Sequence, residues 1–377
     1  MRHKSRQELE TFVVGTPNSV MAQFYLGTRR YEALDIEGAA FCFERVNRLN
    51  SAWDIAHYDY GMALFRLQRF MEAERHFELA LRLNPALVQA TFMLGYTLLA
   101  KGNFGDGVEQ MKQAIRQSPK ELQFHWGYGY NLLRMNQWEE AIPVLKQALL
   151  IREADADIHA SLGEALLFQG EVEGAKKHLD RSLQLNAKAL PTLALRYICD
   201  LNSNATPETL QKIEKVLQQA IQAESVHSGQ FWFYLGQIYR QRDKTREAFQ
   251  SYRNAIHSGF SSELLFFGLS ETAEQLGKKL DAQLYRDEYE RLQSLRSQIP
   301  LLAQHVLRVK DDTDAHLALA RAYRSFQFRQ KAMTEYYRYL QLIPTDSKVL
   351  EERKAYFQQV HEALRHSAPL SLLPKLL

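Results

Sequence analysis

Residues 232–255 read WFYLGQIYRQRDKTREAFQSYRNA, and this stretch contains the pattern of large and small apolar residues that decides the fold. The pattern combines aromatic side chains with a leucine–glycine pair and two alanines, at Trp232, Leu235, Gly236, Tyr239, Ala248, Tyr252 and Ala255. Because glycine and alanine have almost no side chain, two helices can approach closely at Gly236 and Ala248. The stretch therefore predicts a helical hairpin.

The glycine of this pattern recurs every 34 residues earlier in the chain, at Gly27, Gly61, Gly95, Gly129 and Gly163. Three units close on a proline, which lacks an amide hydrogen and should end the second helix: Pro85, Pro119 and Pro344. In this period and in its W-x2-L-G-x2-Y signature the chain resembles the tetratricopeptide-repeat family. The resemblance implies an all-α fold, built as a right-handed superhelical solenoid.

Extending the register along the chain predicts its organisation. The expected parts are an N-terminal segment at 1–19, five regular units at 20–189, a degenerate unit with a lengthened turn at 190–227, two units at 228–294, an extra helix at 295–312, a unit at 313–346, a capping helix at 347–366 and an apolar, proline-containing tail at 367–377. Within the degenerate unit, Thr206 before Pro207 predicts the start of a helix.

Composition and charge limit the classes of partner. Hydrophobic residues make up 46% and charged residues 24% of the 377 residues, as in ordinary folded proteins. A net charge of +3 gives no field strong enough for nucleic acid to be the main partner. Cys42 and Cys199 fall in different units, so we expect buried thiols rather than an internal disulfide.

The sequence offers no signal for export or membrane insertion. The first ten residues are charged throughout and lack the apolar core of a secretory signal. No stretch approaches the roughly 18 uncharged apolar residues that a membrane span needs. We therefore expect a cytoplasmic protein with no membrane span.

No catalytic motif is recognisable. The sequence lacks a phosphate-binding glycine-rich loop, an H-E-x-x-H zinc motif, a C-x-x-C pair and a nucleophile elbow, so we expect no enzyme, no cofactor and no metal. Four histidines share the fourth position of their units: His57, His125, His159 and His316. Since neighbouring units lie farther apart than the ligands of one metal ion, we interpret these rings as filling the position where the family often has tryptophan.

A second pattern concerns positions five, nine and twelve of the first helix, which the family resemblance places on the concave groove. In units two to four these positions are apolar throughout: Tyr58, Met62, Phe65, Phe92, Tyr96, Leu99, Trp126, Tyr130 and Leu133. We call these nine residues the inner stripe. Elsewhere the same positions are mixed and include Glu164, Gln237 and Arg321. An uncovered stripe of this size would exceed the apolar patch that a monomer usually exposes, so something should cover it.

The favoured cover is another protein, bound through an apolar linear segment or an amphipathic helix. This makes the chain an interaction scaffold, either an adaptor or a chaperone. Family members that hold chaperone C-termini use Lys, Asn and Arg at the inward positions, and units two to four lack that set. Over residues 54–155 the stripe is instead similar to the chaperones of type III secretion translocators.

Two alternatives remain open. In the first, the stripe residues pack on each other or are covered by the chain's own tail through Leu370, Leu372 and Leu373. In the second, the protein is a non-catalytic structural subunit of a larger enzyme or of a secretion-type assembly.

Overall fold

The computed structural model describes the backbone of residues 5–201, 205–223, 228–326 and 329–365. Every regular element in these four ranges is a helix, which confirms the predicted all-α class. Within the same ranges, each helix is too short or too polar to cross a membrane. The predicted tail at 367–377, with its three leucines, lies outside the described residues.

The chain divides into two compact units, whose described residues are 5–128 and 129–365. The first unit contains α1 (Arg6–Gly15), α2 (Val20–Glu32), α3 (Ile36–Leu49), α4 (Asp54–Arg66), α5 (Phe70–Leu83), α6 (Val88–Ala100), α7 (Phe104–Gln117) and the first half of α8 (Leu122–Arg134). Three pairs of consecutive helices pack as hairpins, namely α2 with α3, α4 with α5, and α6 with α7.

The second unit contains the rest of α8 and twelve further described helices: α9 (Trp138–Ile151), α10 (Ala156–Gln169), α11 (Val172–Leu185), α12 (Leu190–Leu201), α13 (Pro207–Gln222), α14 (Ser228–Gln241), α15 (Thr245–His257), α16 (Glu263–Gln275), α17 (Lys279–Arg308), α18 (Thr313–Ser325), α19 (Arg329–Leu342) and α20 (Ser347–Arg365). Hairpins again dominate the packing, with extensive contact in the pairs α10 and α11, α14 and α15, and α18 and α19.

The small residues of the repeat lie where the two helices of a hairpin touch, as predicted. In the hairpin of α6 and α7, a Cβ atom added to Gly95 would lie 2.8 Å from the carbonyl oxygen of Gly107. The equivalent alanines in other hairpins, Ala73 and Ala248 among them, are completely buried. A larger side chain at either position would push the helices apart.

Local signals set several helix ends. Helices α5, α7 and α19 each end two residues before Pro85, Pro119 and Pro344, respectively, which confirms the predicted role of those prolines. Helix α13 begins at Pro207, and the hydroxyl of Thr206 accepts a hydrogen bond from the Thr209 amide at 3.3 Å. This confirms the helix start predicted in the degenerate unit.

The N-terminal segment contains a helix that the sequence analysis missed. Helix α1 begins with a capping box, in which Ser5 accepts from the Glu8 amide and Glu8 accepts from the Ser5 amide. Its Leu9 is completely buried against Leu26 and Cys42 of the first hairpin. The spacing of Ser5 and Glu8 is the sequence signal for this helix start.

The separate extra helix predicted at 295–312 is wrong. Helix α17 continues from the second helix of its hairpin through Pro300 to Arg308. Proline inside a helix costs about 3 kcal/mol. Here the residues around it are held by packing on α18, in a cluster made of Ile299, Leu302, Ala303, Val306, Ala315, Leu319 and Tyr323. Since each well-buried apolar side chain contributes roughly 1.5–3 kcal/mol, this contact outweighs the effect of the proline.

Both cysteines are buried free thiols, as predicted. Burial is the main reason why the pKa of Cys199 rises to about 11. Its thiol is therefore protonated at neutral pH and is a poor nucleophile.

Candidate functional site

Seven residues of the inner stripe lie in the first unit, on α4, on α6 and at Trp126 of α8. Six of the seven are buried: Tyr58, Met62, Phe92, Tyr96, Leu99 and Trp126. Phe65 is only partly buried. The expectation of a stripe that needs an outside cover is therefore wrong for these six side chains. Their burial within the chain agrees with the alternative in which the stripe residues pack on each other.

Ring contacts link the first helices of consecutive hairpins. Phe65 of α4 lies edge-on to Tyr96 of α6, with ring centroids 6.2 Å apart, and Tyr96 in turn lies edge-on to Phe92 at 5.4 Å. Phe92 contacts Phe124 of α8 at 4.6 Å, and the Tyr96 hydroxyl donates to the Gly127 carbonyl at 3.3 Å. Edge-to-face and tilted arrangements of this kind are the favourable ones for aromatic rings. Phe65, Tyr96, Phe92 and Phe124 thus form a row of mutually supporting rings in this unit.

Trp126 contains an unsatisfied polar group. The side chain is 6% exposed, and its Nε1 atom is buried without a hydrogen-bond partner in the described parts of the chain. A buried donor that lacks an acceptor costs about 1–3 kcal/mol. Such a group in a folded protein calls for an explanation, and one explanation is an acceptor supplied from outside the chain.

The remaining two stripe residues, Tyr130 and Leu133, belong to the second unit. Leu133 is buried, whereas Tyr130 is partly buried. Burial raises the pKa of Tyr130, and the nearby Arg134 guanidinium opposes that rise only in part. The phenol is therefore uncharged at neutral pH and presents both an apolar ring and a hydrogen-bonding hydroxyl.

Charged groups accompany the stripe in the first unit, which the sequence analysis did not anticipate. The Arg66 guanidinium lies over the Tyr31 ring, 4.7 Å from its centroid. Burial raises the pKa of Tyr31 to about 12, against the lowering effect of Arg66, while Asp59 adds to the rise. Asp59 itself is completely buried. The sequence signal for this arrangement is the pair of charged side chains at positions six and thirteen of the second regular repeat. Both lie outside positions five, nine and twelve, from which the inner stripe was predicted.

The four histidines at position four are buried, and each makes the same kind of hydrogen bond. The Nε2 atom of each ring contacts the carbonyl oxygen six residues earlier at 2.9–3.0 Å, in the pairs His57 with Ser51, His125 with Pro119, His159 with Glu153 and His316 with Lys310. Because a carbonyl oxygen only accepts, Nε2 carries the proton in each case. In the neutral ring, Nδ1 is then an acceptor.

Two of these histidines pair with a second histidine at position 23, on the other helix of the hairpin. The Nδ1 atoms of His57 and His76 are 3.0 Å apart, and those of His159 and His178 are 2.9 Å apart. The position-23 ring must donate, because the position-four Nδ1 is the acceptor. Burial and the neighbouring ring lower the pKa of both His76 and His178 to about 4.

The third pair has a carboxylate instead. His316 Nδ1 lies 2.6 Å from Glu335 Oε2, and both side chains are buried. The sequence analysis noticed the position-four histidines but not their position-23 partners, which a constant spacing of 19 residues would have revealed. In the described ranges, no group of three or more His, Cys, Asp or Glu side chains is arranged to bind a metal ion.

Comparison with known proteins addresses the fold. Family models for the tetratricopeptide repeat match residues 55–87, 98–159 and 132–194. Among curated proteins, no sequence matches the chain significantly.

Three solved structures of low sequence identity are similar to this chain over part of its length. A tetratricopeptide repeat protein from Parabacteroides merdae is 11% identical, with a TM-score of 0.49 over 67% of this chain and 98% of that one. The human IFIT1 dimer with m7Gppp-AAAA is 16% identical, with a TM-score of 0.46 over 90% and 77%. A thermophilic tetratricopeptide repeat protein of Thermus thermophilus is 20% identical, with a TM-score of 0.40 over 48% and 100%. At these identities the likeness concerns the fold alone.

The matched segments contain three of the five glycines with the 34-residue spacing, namely Gly61, Gly129 and Gly163. On this evidence, residues 55–87 and 98–194 of the chain are tetratricopeptide repeats.

Proposed function

We propose that this protein is a non-catalytic scaffold, an adaptor or a chaperone, that binds an apolar linear segment or an amphipathic helix of another protein. The proposed contact surface in the first unit is centred on Phe65, the one inner-stripe residue there that is only partly buried, and on Trp126, whose side chain is 6% exposed. In the second unit, the partly buried Tyr130 is a separate candidate contact. Tetratricopeptide repeats are protein–protein interaction scaffolds, and the proposal adds the chemistry of the partner.

The observation that carries the proposal is the unsatisfied Nε1 donor of Trp126. Because this atom is buried, the backbone carbonyl of a bound segment reaches it only if the side chains that cover it move on binding, and the hydrogen bond would then remove the desolvation penalty. The ring row from Phe65 to Phe124 supports the same proposal, because rings already fixed by their neighbours lose little side-chain entropy when a partner binds. Trp and Tyr also supply much of the binding energy in known interfaces.

The test compares wild-type protein with Trp126→Phe, which keeps an aromatic ring but removes the donor. Partners are co-purified from the native source, identified by mass spectrometry, and then titrated in purified form. A single hydrogen bond contributes about 0.5–1.5 kcal/mol, so we expect Trp126→Phe to weaken binding roughly three- to tenfold. Phe65→Ala should weaken it further by removing apolar contact.

Trp138→Phe is the matched control, since Trp138 lies outside the inner stripe and contacts Phe168. All variants must keep the helical circular dichroism of the wild type. Binding that is the same in wild type, Trp126→Phe and Phe65→Ala would refute this site, whatever partner is captured.

A further inference from the structure

Phe41 is an outlier in the repeat register. It occupies position 22 of the first regular unit, on α3, and 60% of it is exposed. The following four units have exposed residues of other kinds at this position, namely Arg75, Glu109, Pro143 and Lys177. A charged or turn-forming residue is ordinary on an exposed helix face, whereas an aromatic ring there leaves most of its apolar surface in water.

Phe41 forms one wall of a cleft of about 400 Å³ in the first unit. The cleft lies between α3, α4 and the turn that follows α4, and it is lined by Glu37, Ala40, Phe41, Glu44, Tyr60, Leu67 and Arg69. We call it the outer cleft. Its volume is at the lower end of the range of ligand-binding pockets, which suits one long side chain rather than a large ligand.

The charges around the outer cleft do not cancel. Arg69 is neutralised by Glu72, which accepts from its Nε at 2.7 Å and from its Nη2 at 2.6 Å. Glu44 accepts from Arg48 at 2.6 Å. Glu37 has no hydrogen bond or ion pair with any other residue that the structure describes. The uncompensated charge of the cleft is therefore the negative charge of Glu37.

Glu37 is placed to act together with the exposed ring. It lies four residues before Phe41 on α3, and residues with this spacing are neighbours on one face of a helix. Glu44 lies three residues after Phe41 and belongs to the same face. The ring therefore stands between two carboxylates, of which one is unpaired.

Tyr60 forms a fixed polar wall of the cleft. Its ring lies edge-on to His76, with centroids 4.5 Å apart, and its hydroxyl has no hydrogen-bond partner among the described residues. Burial raises the pKa of Tyr60, and Glu44 adds to the rise, so the hydroxyl is protonated at neutral pH. The cleft thus offers an aromatic face, an unpaired carboxylate and a neutral hydroxyl.

We propose that the outer cleft binds an arginine side chain of a partner protein, with the guanidinium stacked on Phe41 and paired with Glu37. Guanidinium is the group that combines stacking on an aromatic face with hydrogen bonds to a carboxylate. The aliphatic part of the same side chain would contact Ala40 and Leu67. None of the residues that line the cleft belongs to the inner stripe, so it is a second interaction surface that does not depend on the proposed function.

The experiment uses the full chain and two small probes. N-acetyl-arginine amide and its neutral isostere N-acetyl-citrulline amide are titrated into the protein, and binding is measured by ligand-observed saturation-transfer NMR. We expect the arginine probe to bind at least fivefold more tightly than the citrulline probe. Glu37→Gln should abolish this preference, and Phe41→Ala should weaken binding of the arginine probe at least threefold. Both residues are exposed, so both variants should fold normally.

Glu78→Gln and Met71→Ala are the matched controls, since both side chains are exposed on α5 and neither lines the cleft. They should leave the preference for arginine unchanged. The proposal is overturned if the two probes bind equally, if the preference survives in Glu37→Gln, or if Phe41→Ala binds the arginine probe as tightly as the wild type. A preference that survives in Glu37→Gln would indicate general attraction of a cation to surface carboxylates. Trp126→Phe should have no effect here, which separates this test from that of the proposed function.

Discussion

The hairpin of α4 and α5 and the hairpin of α18 and α19 both place a buried histidine at position four, but they give it different partners. In each, Nε2 donates to a backbone carbonyl six residues earlier. In the first hairpin, Nδ1 of His57 meets the ring of His76, and in the second, Nδ1 of His316 meets the carboxylate of Glu335. The histidine at position four is thus paired with a second histidine in one hairpin and with a carboxylate in the other.

The difference concerns what happens to an added proton. In the His57 pair, His76 already donates its Nδ1 proton, so a second proton must go to its Nε2 and create a partly buried positive charge. Glu72 is the one nearby group that favours this charge, and its effect is smaller than those of burial and of His57. In the His316 pair, Nδ1 instead faces the carboxylate of Glu335 at 2.6 Å. We therefore expect the residue at position 23 to decide how each hairpin responds to acid.

The largest expected effect comes from removing the carboxylate of the second hairpin. Glu335→Leu leaves Nδ1 of His316 without its partner in a buried site, and breaking a buried pair in this way costs about 3 kcal/mol. Glu335→Gln keeps an amide group in its place and should cost about 1 kcal/mol. Hydrogen exchange of the backbone amides of α18 and α19 measures the local stability.

The exposed Glu351, on α20, offers a control substitution to glutamine that should change little. In all three variants the amides of α4 and α5 should exchange as in the wild type. Equal effects of Glu335→Leu and Glu351→Gln would show that the buried pair contributes nothing.

The next effect is a selective loss of stability in acid. The unfolded chain binds protons at His76 and His178 near pH 6.5, whereas the folded chain binds them only near pH 4. The unfolded state therefore binds more protons between these values, and the two histidine-paired hairpins lose stability as the pH falls from about 6.5 to about 4. Hydrogen exchange at several pH values, corrected for intrinsic rates, should show this in α4, α5, α10 and α11.

Exchanging the partners tests the cause. His76→Glu should reduce the acid response of α4 and α5, and Glu335→His should introduce one in α18 and α19. The explanation fails if the acid response stays with the hairpin rather than following the position-23 residue.

The smallest effect is expected at His125, which bonds to Pro119 and has Val144 at position 23. His125→Leu removes one hydrogen bond to a backbone carbonyl, so the local loss should be about 1 kcal/mol. Exchange of the first-half amides of α8 gives the measurement, with the exposed Lys120 changed to leucine as the control. A loss as large as that of Glu335→Leu would mean that the carbonyl bond, rather than the second partner, dominates in these hairpins.

Sequence predicted the hairpins well because their determinants are local. The absence of a side chain at Gly95 and the missing donor of Pro119 act within one repeat, so a single sequence contains them. Burial of the inner stripe depends on contacts between repeats: Phe92 is covered partly by Phe124 and Tyr96 partly by Phe65, at spacings of about one repeat. Assigning positions five, nine and twelve to the groove did not predict that most of these side chains are buried.

The continuous helix α17 was missed for a related reason. Pro300 is a strong local signal for a break, and it is outweighed by contacts of Leu302 and Val306 with α18, a different helix. The Asp59 and Arg66 charges beside the inner stripe were overlooked because the family pattern directed attention to apolar positions. Where a local preference and a contact with another helix disagree, the sequence of a single repeat does not predict which of the two decides the structure.

Helix α17 also changes how the second unit can come apart. In a repeat array each hairpin ordinarily contacts only its neighbours, so the last hairpins can fray one at a time. Here a single 30-residue helix begins in the hairpin with α16 and ends against α18. When α18 opens, one end of α17 is exposed while its other end is still packed in the hairpin with α16. The two adjacent hairpins are therefore joined into one cooperative folding unit.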